Sequence, residues 1–494
     1  MRGFHVLLPT FATDYSGVCS ALYELGGLVI ILGPSGCANN VIAHDEPRRT
    51  QLPSRVFGAD LDDLEATFGP DERIVEDACE TWRRVGGAFV AVVGTPASMV
   101  IGTDHQALAR EIGRRCGIPA IAFSTSGTSP YPTGVAQALL EVARTLVWPE
   151  KSLRETLRLG HLPGSEDSTS SAATSASGAP MPSAMPATAT SRMTAHRGVN
   201  LLGATPLDLS DQATANDAQA ALEADGWHVV SCWCMGSSLE ELREGSSAQA
   251  NIVLTASSLP LARWMLDELG IPYVWGLFSG EQATEDTLAH LERVITGNAS
   301  DPVPFHATLG TRPCLTDSRK DAAPANDGPS AGACDASAGH STEAAVTSSP
   351  APVHPEHPEG HPESRTLVVA DLVLAESLRR AIELGEAPTR VDVAVPFPTK
   401  EPPLRPDDRI DVDERALMGL IRSGTYGLVV GDPSLAYLVA DPATCQTRFL
   451  PVSCIGISGR LPHPDAVRPY EPDFSYALTS RTYLARDLIA DDPR

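Results

Sequence analysis

The chain alternates short, uninterrupted apolar runs with longer segments whose apolar positions recur at helical spacing. In the N-terminal part the apolar runs fall at Leu28–Leu32, Ala88–Val93 and Pro119–Phe123, and amphipathic segments at about Asp104–Cys116 and Gly134–Leu146. In the middle, Val199–Leu202, His228–Cys232, Asn251–Thr255 and Tyr273–Trp275 alternate with helical patterns near Ala213–Ala224 and Pro260–Leu269. Towards the C-terminus, Thr366–Ala370, Val391–Val395 and Gly427–Val430 alternate with Leu372–Leu384 and Val412–Ile421. Strands that are apolar throughout, each followed by an amphipathic helix, predict parallel sheets covered on both faces. The expected architecture is α/β, with three doubly wound, Rossmann-like domains.

Two stretches break the pattern. One, from about Pro163 to His196, is mostly Ser, Ala, Thr, Pro and Met; the other, from about Arg312 to Ser364, is rich in Pro, Ala, Gly, Ser and His. Neither holds enough large apolar side chains to offset the entropy of ordering, so both are expected to be linkers or surface insertions. This divides the chain into domains at 1–160, 197–311 and 365–494, joined by linkers at 161–196 and 312–364.

Composition narrows the partners. With 494 residues there is room for several real cores, and the formal net charge of −25 argues against nucleic acid or an anionic membrane surface. The plainest account of that charge is solubility. No apolar run approaches the roughly 20 residues that span a bilayer, and the stretch Met1 to Pro9 has no cleavage signal. Ten cysteines at wide, irregular spacing do not make the dense framework of a small secreted scaffold, so a reducing cytoplasm is the expected location.

The chemistry-bearing residues are few, and Cys19 and Cys37 lead them. Cys19 follows Tyr15-Ser16-Gly17-Val18 and precedes a helix-like run from Ser20 to Leu25. Cys37 closes the turn Gly33-Pro34-Ser35-Gly36 after the strand Leu28–Leu32. Thiolates at helix N-termini are stabilised by free N–H groups and the helix dipole. Two of them brought together by one helix–strand unit would form half of a metal-cluster site. The structural alternative is that they simply pack, since cysteine is among the most buried residue types.

Other candidates are weaker. Cys232-Trp233-Cys234 follows a strand, and alternation would turn both thiols to one face, toward a cleft between domains; as a pair it lacks two further metal ligands. His354, His357 and His361 lie in a proline-broken tract within a predicted linker and read as solvated chain. Gly33-Pro34-Ser35-Gly36 has no following lysine and is not a phosphate loop. No Ser/His/Asp or His-Glu-x-x-His arrangement supports hydrolysis. Glu24 and His44 flank the cysteine turns without a motif of their own.

In order along the chain, several segments resemble the component 1 family of nitrogenase and nitrogenase-like oxidoreductases. They are Cys19-Ser20-Ala21-Leu22, Ile31-Leu32-Gly33-Pro34-Ser35-Gly36-Cys37, Val56-Phe57-Gly58-Ala59-Asp60, the run Thr95 to Asp104, and Gly117-Ile118-Pro119. Val199 to Gly203, Ala250 to Val253, Leu269 to Tyr273, Gly427 to Gly431 and Pro451 continue the series. The resemblance makes Cys19 and Cys37 the first two cluster cysteines. It also shows departures. Pro96 stands at the third cluster cysteine and cannot ligate; Cys79, nearby in a helix-like stretch, does not align with it. Thr255 falls near the cysteine that holds the large catalytic cofactor, and His463 is only a loose match to the histidine ligand. Neither a molybdenum-type cofactor nor dinitrogen reduction is therefore expected.

The resemblance further implies a [4Fe–4S] cluster at a subunit interface. Such a cluster normally uses four thiolates, which Cys19 and Cys37 of two chains in a homodimer would supply; a heterodimer with a related subunit is the alternative. An ATP-hydrolysing iron protein would deliver electrons, and the small-molecule substrate would be a bulky unsaturated ring system such as a tetrapyrrole. Two other functions stay open: a non-catalytic scaffold or carrier for metal-cofactor assembly, and a metal-free small-molecule binding module.

Overall fold

The computed structural model describes residues 6–68, 71–149, 197–304, 365–385, 389–459, 466–471 and 473–490. The expected linkers at 161–196 and 312–364, with His354, His357 and His361, lie outside the described residues, as does His463.

Three sheets form from the predicted apolar runs. The first contains β1 (Leu28–Leu32), β2 (Val56–Gly58), β3 (Val90–Gly94) and β4 (Ala120–Phe123) in the order β2-β1-β3-β4, all parallel. The second contains β5 (Gly198–Leu202), β6 (His228–Cys232), β7 (Ala250–Val253) and β8 (Tyr273–Trp275), again parallel, in the order β6-β5-β7-β8. The third orders β9 (Arg365–Val369), β10 (Arg390–Val395), β11 (Arg409–Ile410), β12 (Leu428–Gly431), β13 (Arg448–Pro451) and β14 (Tyr483–Leu484) as β11-β10-β9-β12-β13-β14, with only the β13–β14 pair antiparallel. The α/β class with parallel, helix-flanked sheets is as the alternation predicts. Strands β2, β11, β13 and β14 lie outside the expected apolar runs: β2, β11 and β14 are two or three residues long, and β13 opens on the charged Arg448.

In the first sheet the helices are α1 (Asp14–Leu22), α2 (Ser35–Asn40), α3 (Asp63–Phe68), α4 (Asp71–Val85), α5 (Pro96–Val100), α6 (His105–Cys116) and α7 (Tyr131–Val142). Their ends follow local chemistry. Asp104 caps α6 by accepting from Ala107 N at 2.9 Å, and Gly117 at φ +70° ends it in the left-handed conformation that costs glycine least. Thr95 and Ser98 form a capping box at α5, with Pro96 at the first helical position, where no N–H is needed.

The expected helix Ser20–Leu25 is corrected here: α1 starts at Asp14 and ends at Leu22, so Cys19 lies within it. Ser16 and Gly17 read as turn residues on propensity, but packing overrides this. A Cβ on Gly17 would overlap the backbone carbonyl of Tyr131, and one on Gly134 would overlap that of Asp14. The backbones of α1 and α7 thus meet where two side chains are missing. Alternate residues of β1 serve two cores. Val29 and Ile31 join the large one, which contains Cys19 and extends through the other two sheets, while Leu28, Ile30 and Leu32 join a smaller one under α4 and α6.

Gly134→Ala is expected to cost at least about 2 kcal/mol, read as a lower denaturant midpoint, because neither backbone can yield. Gly36→Ala, which meets nothing within 4 Å, should be neutral. Equal midpoints for the two variants would show that the helices do not depend on this contact.

Candidate redox site at the ends of the parallel strands

In a doubly wound sheet, ligands collect beyond the carboxyl ends of the strands where the strand order reverses. In the first sheet that point lies between β1 and β3, followed by Gly33-Pro34 into α2 and Thr95-Pro96 into α5. Thr95 Oγ1 donates to Leu32 O at 2.6 Å and fastens the two turns together. Cys37 is the third residue of α2 and is partly buried against the large core. Burial pushes its thiol up, and a hydrogen bond with the Thr95 side chain opposes the rise. Pro34, Ser35 and Gly36 just before it are exposed, and along α5 so are Pro96, Met99 (42%) and Val100 (87%).

Cys19 is placed differently. It is 1% exposed, and burial together with the Glu46 and Asp45 carboxylates raises its pKa. The N-terminal dipole invoked for it is not available inside a helix. Tyr15 lies one turn earlier on α1 and is close enough to both cysteines to feel their charge. Its ring also approaches Gly127, where an added Cβ would stand 3.2 Å from Tyr15 Cε1 and 2.7 Å from Pro96 Cγ. Tyr15 therefore links the Cys19 and Cys37 neighbourhood to the position where the family resemblance puts a third cysteine.

Below these cysteines two buried charges organise the chain. Asp45 accepts from Ser16 Oγ (2.6 Å), Asn40 Nδ2 (3.0 Å), Ser458 Oγ (3.0 Å) and Gly459 N (3.1 Å), joining α1 and α2 to the C-terminal part. Arg48 donates to Glu46, to Glu24 at 2.7 Å, to Ser20 O at 2.7 Å and to Cys234 O at 3.0 Å, joining the first sheet to the second. Glu24 thus has a structural partner, and it also accepts from Gly236 N at 2.9 Å. Cys232 and Cys234 are both buried, and burial pushes the Cys232 thiol up to about 12. Cys234 has φ +91°, so strand alternation does not extend to it and cannot turn both thiols to one face.

The strand ends of the second and third sheets converge on a second group that sequence motifs did not reveal. Tyr131 Oη, from α7, donates to Asp208 Oδ1 at 2.6 Å, while Asp208 Oδ2 is buried with no partner. Asp371, just after β9, accepts from Ala256 N at 2.8 Å, after β7, and from Val373 N at 3.0 Å. Tyr470 Oη donates to Leu254 O at 3.0 Å, and Cys454 Sγ to Val369 O at 3.7 Å. Burial and then Asp371 hold the Asp208 carboxyl well above the usual range; burial raises Asp371 to about 6. Only the Asp–apolar-helix signature at Asp371-Leu372-Val373 could have hinted at one member. Tyr131, Trp233 and Tyr470 are among the largest fully buried side chains. A cavity of about 190 Å³ lined by Ile30, Asp60, Arg73 and Asp77 lies on the α4 side of the first sheet, away from Cys19 and Cys37.

The family model for nitrogenase component 1 type oxidoreductases matches residues 14–310. The chain belongs to that family. Its solved neighbours include nitrogenase Cp1 at pH 6.5, at 18% identity over 60% of this chain and 51% of that one, with a TM-score of 0.43. Nitrogenase Cp1 at pH 5 aligns at 14% identity over 84% of this chain and 69% of that one, with a TM-score of 0.47. The chain thus spans about half the length of the first neighbour. No curated protein matches it. Among the described residues no helix is long and apolar enough to cross a membrane, and no group of three or more His, Cys, Asp or Glu side chains is placed to hold a metal ion.

The orphaned Asp208 generates a pH prediction. Its folded pKa is raised, so between about pH 4 and that pKa the folded chain binds more protons than the unfolded one, and stability falls as pH rises. Asp208→Asn keeps an acceptor for Tyr131 and removes the titration. The variant should be more stable than the parent at pH 8, with the gain vanishing near pH 4. A difference that does not change with pH, in melting curves across that range, would show that Asp208 does not titrate in this way.

Proposed function

We propose that this nitrogenase component 1 type protein works in electron transfer as a dimer, with one [4Fe–4S] cluster held by Cys19 and Cys37 of both protomers. The observation that carries the reading is Cys37, a partly accessible thiol at the strand-order reversal of the first sheet, next to the turn that Thr95 fastens to it, with Pro96, Met99 and Val100 exposed along α5. Two cysteine thiols are the donor type that half of such a cluster would use. Two thiols are the number that a four-thiolate cluster shared between two protomers would need from each chain. Cys37 is partly accessible, whereas Cys19 is buried within α1, so loading would require the chain around Cys19 to open. The bound cluster would supply one-electron redox chemistry.

The chain's own residues set its surroundings. The buried Asp45 and Glu46 carboxylates place negative charge near Cys19, which disfavours adding electrons close by and would lower a potential there. Arg48 offsets Glu46 and Glu24, its direct partners. An ATP-hydrolysing iron protein is the electron donor this reading requires, and the exposed surface around Cys37 is where it or the second protomer would approach.

A bulky unsaturated substrate such as a tetrapyrrole is the finer proposal for reduction. The alternative, a scaffold or carrier for metal-cofactor assembly, is favoured by one observation: Tyr131, Asp208, Trp233 and Tyr470 occupy the interior where the strand ends converge.

Anaerobic purification and reconstitution should give about two irons and two sulfides per chain, with a visible charge-transfer band and a paramagnetic signal on reduction. Cys37→Ser should lose iron and dimer together while keeping its circular dichroism. Iron well below that level in the parent, or full retention in Cys37→Ser, would remove the cluster from these residues. Reoxidation on adding a ring substrate, with the iron protein and ATP present, would mark a reductase; transfer of metal without redox change would mark a carrier.

A further inference from the structure

The opposite face of the first sheet carries a second cysteine pair, unrelated to the proposed cluster. Cys79, midway along α4, is 4% exposed in the small core with Ile74, Val75 and Ile112. Cys116, the last residue of α6, is partly exposed. Their Sγ atoms lie 3.2 Å apart although the residues are separated by 37 positions. The same two helices are tied at the surface by Arg115, whose Nη1 donates to Glu72 Oε1 at 2.9 Å, and Gly117 stops α6 directly after Cys116. The thiols are therefore held in contact by packing and an ion pair that do not depend on them.

Two chemistries suit touching thiols, and the geometry separates them. Tetrahedral thiolates at roughly 2.3 Å from a metal ion stand farther apart than these sulfurs do, and among the described residues no third ligand completes a metal site. A dithiol that closes to a disulfide needs only a modest further approach.

We propose that Cys79 and Cys116 are a reversible disulfide site that reacts with low-molecular-weight disulfides such as oxidised glutathione. The more exposed Cys116 thiolate attacks one glutathione sulfur, breaking that S–S bond and releasing a glutathione thiolate. Cys79 then gives up its proton, and its sulfur attacks the Cys116 sulfur, expelling the second glutathione. One S–S bond is exchanged for another, and the two thiol protons leave with two reduced glutathione molecules. Arg83 lies near enough to Cys116 to favour its thiolate, although burial and Cys79 push that thiol up to about 12. Once formed, the bond staples α4 to α6, closing a loop through β3 and α5.

The full-length chain, reduced and then incubated folded with oxidised glutathione, should yield a Cys79–Cys116 linked peptide that has lost two hydrogens and is restored by dithiothreitol. Cys79→Ser should retain glutathione on Cys116, and Cys116→Ser should leave Cys79 free. Oxidation should raise the melting temperature of the parent by several degrees and leave that of Cys79→Ser unchanged. Complete alkylation of both thiols after incubation, separate glutathione adducts on each, or pairing of either with another cysteine would overturn the proposal. These readouts need no iron, so they stand or fall apart from the cluster.

Discussion

The contact between the backbones of α1 and α7 is the constraint on which the cysteine end of the first sheet depends. Because Gly17 and Gly134 have no Cβ, each helix presses onto the other's carbonyl groups. The start of α1 is thereby held against the loop before α7, where the Asp14 carboxylate accepts from Ser126 N and Gly127 N at 3.1 and 2.8 Å. The same crossing buries Cys19 and sets Tyr15 beside both cysteines. It also sends the Tyr131 hydroxyl across to Asp208, in the segment that follows β5.

Charge is distributed around this crossing with little slack. Asp45 and Arg48 are buried and each spans separate parts of the chain, so removing one partner would strand the other in a low-dielectric interior. Arg48 is satisfied by Glu24, Glu46 and two backbone carbonyls, which leaves Cys19 under the influence of carboxylates. Asp208 is the exception to this pairing, since one of its oxygens has no partner. A buried carboxyl with one hydrogen bond is costly as an anion and far less so as a neutral acid.

The two faces of the first sheet separate two kinds of thiol. On one face Cys37 sits at the open end of the strands, while Cys19 lies inside a helix beneath it. On the other, Cys79 and Cys116 touch across a helix pair that an ion pair holds in register. The alternation of β1 side chains between the two cores is what keeps these groups apart.

The sequence by itself determined the α/β class and the main strands, and it singled out Cys19 and Cys37 as residues of interest. Continuous apolar strands and amphipathic helices are local patterns, set by burial on two faces or on one. It also marked Pro96 as a non-ligand, because proline has no side-chain donor atom. Tertiary structure alone decided that Cys19 lies inside α1, where Gly17 lets the helix pack directly on the Tyr131 backbone. It alone brought Tyr131, Asp208 and Asp371 together, and Cys79 to Cys116. Such partners are distant in sequence and belong to no short motif, so only the packing of helices and sheets could make them neighbours.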